Sequence, residues 1–318
     1  MNLRYRPLGR TGVLVSELVL GTVDFGPRGS LDAASCREIV DCALDRGINM
    51  IDTADIYSQG VSEEMVGRAL EGRRGQVLIA TKAHGRTGSG VNDRGSSRLH
   101  LMQAVEASLR RLRTDWIDLY QLHLPDDATP LEETLHALDD LVRQGKVRYV
   151  GTSNFPAWQL VEALWVSDRH HLVRIASEQP RYSLLDRRIE REILPACRHH
   201  GIAILPWGPL AGGDLTGKYR LGAPLPPDSR RARHGQDPSS PAWLRRLQVV
   251  ESLLELATEA ELPLAQFALL WLLQQDGVTA PIVGARSVRQ LEESLYALDR
   301  RLPDGLARKA GDLTAEFA

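Results

Sequence analysis

The chain has 318 residues, 43% hydrophobic and 25% charged, with 39 Lys plus Arg against 41 Asp plus Glu and a formal net charge of -2. That balance fits a soluble globular protein and gives no reason to expect nucleic acid or an anionic membrane as the main partner. Cys36, Cys42 and Cys197 have no metal-like spacing, so free thiols, no bound metal and a reducing, cytoplasmic compartment are expected; the first residues lack an apolar signal segment, and no run approaches the ~18 apolar residues of a membrane helix.

Residues 3–16 read as a hairpin turning at 9–12, where glycines flank Arg10 and Thr11. Strand and helix then alternate. A strand at 18–21 is followed by a helix from the N-cap Asp32 to Arg46, stopped by Gly47. The strand beginning at Asn49 precedes a helix over 62–70. The strand 77–82 leads through a glycine-rich loop to a helix over 97–112, and the strand 117–123 leads to a helix over 131–144. Further strands are expected at 147–151, 173–178 and 202–206, with helices at 157–166 and 187–200.

Residues 208–241 are rich in Gly, Pro and Arg and show no apolar period, which suggests a lid or binding segment. Helices resume at 241–260 and 264–275. A last strand is expected at 279–283, a last barrel helix at 287–298, and a helical tail at 303–318. Strands joined by helical crossovers are parallel, and eight of them in a chain of this length close most naturally into a (β/α)8 TIM barrel. An open doubly wound sheet would carry a glycine fingerprint after its first strand, and 21–26 holds none. No linker divides the chain, so residues 1–318 are expected to form one barrel domain with an N-terminal β-hairpin, a long loop after strand 7 and a C-terminal helical tail.

Three successive strands end in ionisable groups: Asp52 with Tyr57 just beyond it, Lys82, and His123. In a barrel these ends share one mouth. A phenol with its ordinary pKa near ~10 is a poor acid at neutral pH, and a neighbouring ammonium favours the phenolate. Asp52 would hold Lys82 charged, and His123 would hydrogen-bond a substrate oxygen. The group suits proton delivery to a carbonyl oxygen becoming an alkoxide. None of these side chains donates hydride, so the electron pair must come from a cofactor.

From residue 8 almost to its end the chain resembles the aldo-keto reductase superfamily. The likeness lies in Leu8-Gly-Arg-Thr-Gly12, Ile51-Asp-Thr-Ala-Asp-Ile-Tyr57, Ala80-Thr-Lys82, Asp115-Trp-Ile-Asp-Leu-Tyr-Gln-Leu-His123, Gly145-Lys-Val-Arg-Tyr-Val-Gly-Thr-Ser-Asn154, Gln179-Pro-Arg-Tyr-Ser183, Pro209-Leu-Ala-Gly-Gly213, Leu215-Thr-Gly-Lys-Tyr219 and Ile282-Val-Gly-Ala-Arg-Ser287. The resemblance implies a barrel that reduces aldehydes and ketones with NADPH. It makes Tyr57 the general acid, Lys82 and Asp52 its pKa-setting pair, and His123 the residue that orients the carbonyl.

By the same resemblance Ser153, Asn154 and Gln179 would bind the nicotinamide carboxamide. Trp207, where the family often has Tyr, would stack on the ring. Pro209, Leu210, Gly212 and Lys218 would follow the pyrophosphate, where the charge of Asp214 should weaken binding unless it points to water. Gly284, Arg286, Ser287 and Gln290 would form the 2′-phosphate pocket, which favours NADPH over NADH, and Glu293 would reach the adenine. The family frequently has Asn where this chain has Ser294.

The substrate would be set by the loops 25–30, 84–94, 124–127 and 208–241, with Phe25, His84 and Trp207 lining a mixed apolar pocket. The cluster Arg220, Arg230, Arg231 and Arg233 reads first as a solvated face. Were it a groove, a phosphorylated or nucleotide-linked sugar would become the alternative substrate. A third reading is a cofactor-sensing binding protein like the cytoplasmic subunits of some potassium channels. The exposed helices leave a homo-oligomer open.

Overall fold

The computed structural model describes residues 3–227, 229–233, 235 and 237–318. The reading of the first two residues, and positions 228, 234 and 236 of the long segment, lie outside the described residues. An antiparallel hairpin, β1 (Tyr5–Pro7) and β2 (Leu14–Ser16), precedes eight parallel strands. These are β3 (Val19–Gly21), β4 (Met50–Asp52), β5 (Leu78–Ala83), β6 (Ile117–Leu122), β7 (Val147–Ser153), β8 (Ile175–Gln179), β9 (Ala203–Ile204) and β10 (Ile282–Gly284). Their spatial order follows the chain from β3 to β9, with β10 beside β3. Parallel bridges from Ile204 to Val278 and from Trp207 to Ile282 join the two ends, so the sheet closes as a (β/α)8 barrel.

The helices are α1 (Ala33–Asp45), α2 (Val61–Ala69), α3 (Arg98–Leu112), α4 (Leu131–Arg143), α5 (Ala157–His170), α6 (Ile193–His200), the short α7 (Arg230–Arg233), α8 (Pro241–Glu259), α9 (Leu264–Leu273), α10 (Val288–Leu295) and α11 (Asp304–Leu313). Local chemistry sets their starts. Asp32 accepts the Ser35 N–H at 2.8 Å ahead of α1, and Ser97 and Ser287 do the same for α3 and α10. Buried residues recur at helical spacing, as in Cys36, Ile39, Val40 and Ala43 of α1. No single helix among the described residues is long and apolar enough to cross a membrane.

Period-2 alternation places the site. Met50, Ala80, Leu119, Ala203 and Ile282 belong to a small inner core with Leu8 and Val15 of the hairpin, which plugs the N-terminal end of the barrel. Their outward neighbours Ile51, Ile79, Tyr120 and Ile204 join the main core against the helices. Two residues beyond Met50, Ala80 and Leu119 stand Asp52, Lys82 and Gln121. Inward polar side chains therefore begin where the inner apolar layer stops.

The expected elements differ from the observed ones chiefly in the second half of the chain. The stretch 187–200 breaks into a 3-10 turn, Arg188–Glu190, before α6 starts at Ile193. The long segment contains a 3-10 turn, Ala211–Thr216, as well as α7. The strand at 202–206 is regular only over Ala203–Ile204, and the last strand is Ile282–Gly284. At this seam pairing runs through single bridges, because Pro206 and Pro281 have no N–H to donate to a continuous ladder.

Candidate active site

Lys82 is fully buried at the end of β5, and its ammonium spends all three donors on Asp52 Oδ1 at 2.6 Å, Thr53 O at 2.7 Å and Tyr57 Oη at 3.3 Å. The other Asp52 oxygen accepts from Gln179 Nε2 at 2.8 Å and Gln121 Nε2 at 3.4 Å. Tyr57 lies just past β4 and reaches back over Lys82, and its ring meets that of His123 edge to face at 5.9 Å. The structure thus brings Asp52, Tyr57, Lys82 and His123 together at one barrel end.

The electrostatics have a definite order. Burial opposes the Lys82 charge, but Asp52 and Tyr57 outweigh it and hold the ammonium above its ordinary range. Burial of the Tyr57 phenol is the largest influence on that group, and it exceeds the pull of Lys82 toward the phenolate. The expectation that Lys82 leaves Tyr57 below its ordinary pKa is therefore corrected: the net direction is upward, so the group rests as a neutral phenol. His123 is pushed down to about 3, first by burial and then by Lys82 and His84. It stands neutral, with a buried Nδ1 that has no partner among the described residues.

The predicted polar layer continues around the mouth. Ser153 donates to Gln179 O at 2.8 Å, and Asn154 Nδ2 donates to Ser153 Oγ at 2.9 Å and to His123 O at 3.2 Å. The Trp207 indole donates to Asn154 Oδ1 at 3.0 Å and carries the Arg181 guanidinium 5.4 Å from its ring. The segment Pro209, Leu210, Ala211, Gly212 and Gly213 follows at once. Ala211, Gly212 and Gly213 take φ values of 51, 69 and 105°, a left-handed run that glycine allows, in which the Ala211 N–H donates to Gly208 O at 2.8 Å and the Gly213 N–H to Leu210 O at 2.9 Å. The exposed Lys218 folds back across this turn; a Cβ on Gly213 would stand 3.0 Å from its Nζ.

At β10, exposed Gly284 leads to Arg286. Ser287 accepts the Gln290 N–H at 3.3 Å, and the Gln290 amide oxygen accepts the Arg286 N–H at 2.9 Å, a variant of the capping box displaced by one residue. Arg286 Nε is buried without a partner among the described residues, leaving a cation with a donor to spare. Glu293 is exposed and paired with Arg289 at 2.8 Å.

Three expectations change. Asp214 points neither to water nor into the mouth: it is buried, and Arg231 grips both its oxygens at 2.8 and 2.6 Å, with Arg246 3.5 Å away. Arg231 also lies 3.5 Å from the Trp243 ring centroid, and Arg220 pairs with Glu251 at 2.8 Å, so two of the four clustered arginines are engaged within the fold. Phe25 is fully buried in the main core and does not line the mouth. Reasoning from sequence also missed Gln121, which the alternation along β6 would have placed inward beside Asp52, and Arg181, whose partner Trp207 lies 26 residues on, past β9.

The Aldo/keto reductase family model matches residues 17–308. A protein of Arabidopsis thaliana named as a probable voltage-gated potassium channel subunit beta is 38% identical over 304 residues, covering 93% of this chain and 92% of its own. An uncharacterized oxidoreductase of Bacillus subtilis (strain 168) is 38% identical over 325 residues, with 98% and 96% covered. An aldo-keto reductase of Alternaria alternata is 36% identical over 334 residues, with 94% and 88% covered. The chain belongs to the aldo/keto reductase family.

Proposed function

We propose that the whole chain acts as one barrel domain that reduces an aldehyde or ketone to its alcohol with NADPH, and that Tyr57 is the general acid. The observation that carries this reading is the Lys82 ammonium held between the Asp52 carboxylate and the Tyr57 hydroxyl. A neutral phenol can give its proton to a carbonyl oxygen that is gaining charge, and the phenolate left behind lies against a fixed cation. His123, neutral because it is buried beside Lys82, can donate a hydrogen bond to the same oxygen without competing as an acid. Bound NADPH supplies the hydride.

The residues present fit that cofactor. Ser153, Asn154 and Gln179 offer amide and hydroxyl groups at one level, and Trp207 offers a half-exposed ring face beside them. Pro209, Leu210, Gly212 and Lys218 follow as a tight turn with little side-chain bulk at Gly212 and with a cation, which suits a diphosphate. The spare Nε of Arg286, with Gly284, Ser287 and Gln290 around it, suits a 2′-phosphate and favours NADPH over NADH. Glu293 is assigned to the adenine end, where it would exchange its Arg289 contact for the base.

A second reading, a nicotinamide-sensing subunit, draws on the likeness to the plant protein named as a channel subunit. The sugar-nucleotide reading loses support, because Arg220 and Arg231 are committed to Glu251 and Asp214. The test is fluorescence titration with NADPH and NADH, followed by NADPH consumption with a panel of aldehydes. Turnover that falls about 10²–10⁴-fold in Tyr57→Phe while NADPH still binds supports the reductase. Tight binding without turnover on any carbonyl favours sensing, and failure to bind either nucleotide overturns both.

A further inference from the structure

We propose that Glu132, His136 and His170 form a surface site for a divalent transition-metal ion of the zinc class, apart from the barrel mouth. Glu132 and His136 are four residues apart on α4, which stacks them on one face a single turn apart. His170 comes from the last turn of α5. His136 Nε2 lies 3.9 Å and His170 Nε2 3.6 Å from the same carboxylate oxygen, Glu132 Oε1. The two imidazole rings meet edge to face at 5.7 Å, and one donor atom from each of the three residues falls within 4.8 Å of the others.

The donor set decides the class of ion. Two imidazoles and one carboxylate match a zinc centre with a coordination position left open, whereas calcium and magnesium take oxygen donors. Donors around a tetrahedral zinc stand about 3.3 Å apart, given bonds near 2.0–2.1 Å. The observed spacings exceed this, falling within 4.8 Å, so ion binding calls for side-chain torsions that draw the three donors together. All three side chains are partly open to solvent, so an ion can enter and keep water at its remaining position.

The surroundings leave the donors available. Among the described residues Glu132 pairs with no lysine or arginine. Neighbouring cations are engaged elsewhere: the Arg169 guanidinium lies 5.2 Å from the Trp165 ring centroid, and Arg98 binds Asp140 at 2.5 Å. The spacing of the cysteines could not reveal this site, because none of them belongs to it. A metal there would staple α4 to α5, the helices that follow the two strands leading to His123 and Asn154.

The test is calorimetric titration of the purified full-length chain with Zn²⁺ alone, beside His136→Ala, His170→Ala and, as a control, His200→Ala. The expected result is one Zn²⁺ per wild-type chain, with affinity weakened at least about tenfold in His136→Ala and in His170→Ala and unchanged in His200→Ala. Excess Zn²⁺ should raise the melting temperature of wild type and not of the two site variants, whose melting without metal verifies that they fold. Absence of Zn²⁺ binding by wild type, or equal affinity in His136→Ala and His170→Ala, overturns the proposal.

Discussion

The Trp207 indole N–H donates to Asn154 Oδ1 at 3.0 Å, tying the end of β9 to the end of β7 across the barrel mouth. That bond fixes the tilt of the ring proposed to stack on the nicotinamide and orients the amide proposed to bind its carboxamide. Trp207→Phe keeps an aromatic face but frees the Asn154 oxygen. The loss of one neutral hydrogen bond, about 0.5–1.5 kcal/mol, should weaken NADPH about 2- to 10-fold with little change in the maximal rate. Fluorescence titration together with steady-state kinetics separates the two; an effect confined to the maximal rate would contradict the assignment.

The Lys82–Asp52 pair is almost fully buried, with side-chain exposures of 0% and 4%. Removing one member strands the other's charge in the interior, which typically costs about 3–5 kcal/mol. Lys82→Met should therefore lower the urea midpoint sharply as well as turnover. Asp52→Asn leaves the Lys82 charge unpaired and turns an NH2 toward a donor, either Lys82 Nζ or Gln179 Nε2, so it should lower stability as well as turnover. A Lys82→Met protein as stable as wild type would mean that the pair is less desolvated than its geometry indicates.

Arg231 joins the turn proposed to follow the diphosphate to the segment after it, since both oxygens of buried Asp214 bind its guanidinium. Arg231→Ala removes this grip and the contact with Trp243. Arg246, 3.5 Å from Asp214, retains part of the charge balance, so the expected loss is about 2 kcal/mol, below that of an isolated buried pair. The turn around Gly212 and Gly213 should then loosen. Limited proteolysis should cut within 208–241 faster, and NADPH should dissociate faster. Arg286→Ala makes the contrasting case: it should raise the NADPH dissociation constant far more than that of NADH, whereas Arg231→Ala should affect both alike.

The barrel was legible because each strand carries its own punctuation. Asp32, Ser97 and Gly47 mark helix boundaries by local chemistry alone, and the apolar runs ending in Asp52, Lys82 and His123 read directly as strands that end in ionisable groups. What escaped was set by contacts distant in the chain. Asp214 appeared as a bare charge because Arg231 lies across an aperiodic stretch, and Phe25 was assigned to the pocket because burial depends on how its loop folds onto α2. The direction for Tyr57 depended on weighing desolvation against one ammonium. Sequence names both influences and gives neither depth nor distance.

Two buried carboxyls set an alkaline limit. Asp55 is 2% exposed, neither of its oxygens has a partner among the described residues, and burial together with Glu63 raises it to about 8. Glu178, buried beneath Thr152 and the Phe155 N–H, is also raised to about 8, first by burial. Each keeps its proton when folded and has lost it when unfolded at neutral pH. Stability from these protons is thus full below the ordinary carboxyl range near ~4 and falls as pH rises through about 8. Between pH 6 and 8 the loss is about 2 kcal/mol per group at most. His123, pushed down to about 3, works in the opposite sense: its neutral form is favoured by folding, so its contribution is lost as pH falls from ~6.5 toward 3. Asn at 55 and Gln at 178 mimic the protonated acids. Asp55→Asn combined with Glu178→Gln should therefore flatten the alkaline slope of urea stability measured from pH 6 to 9 and leave the acid slope in place. An alkaline slope unchanged in that double variant would show that both acids are already ionised in the folded protein.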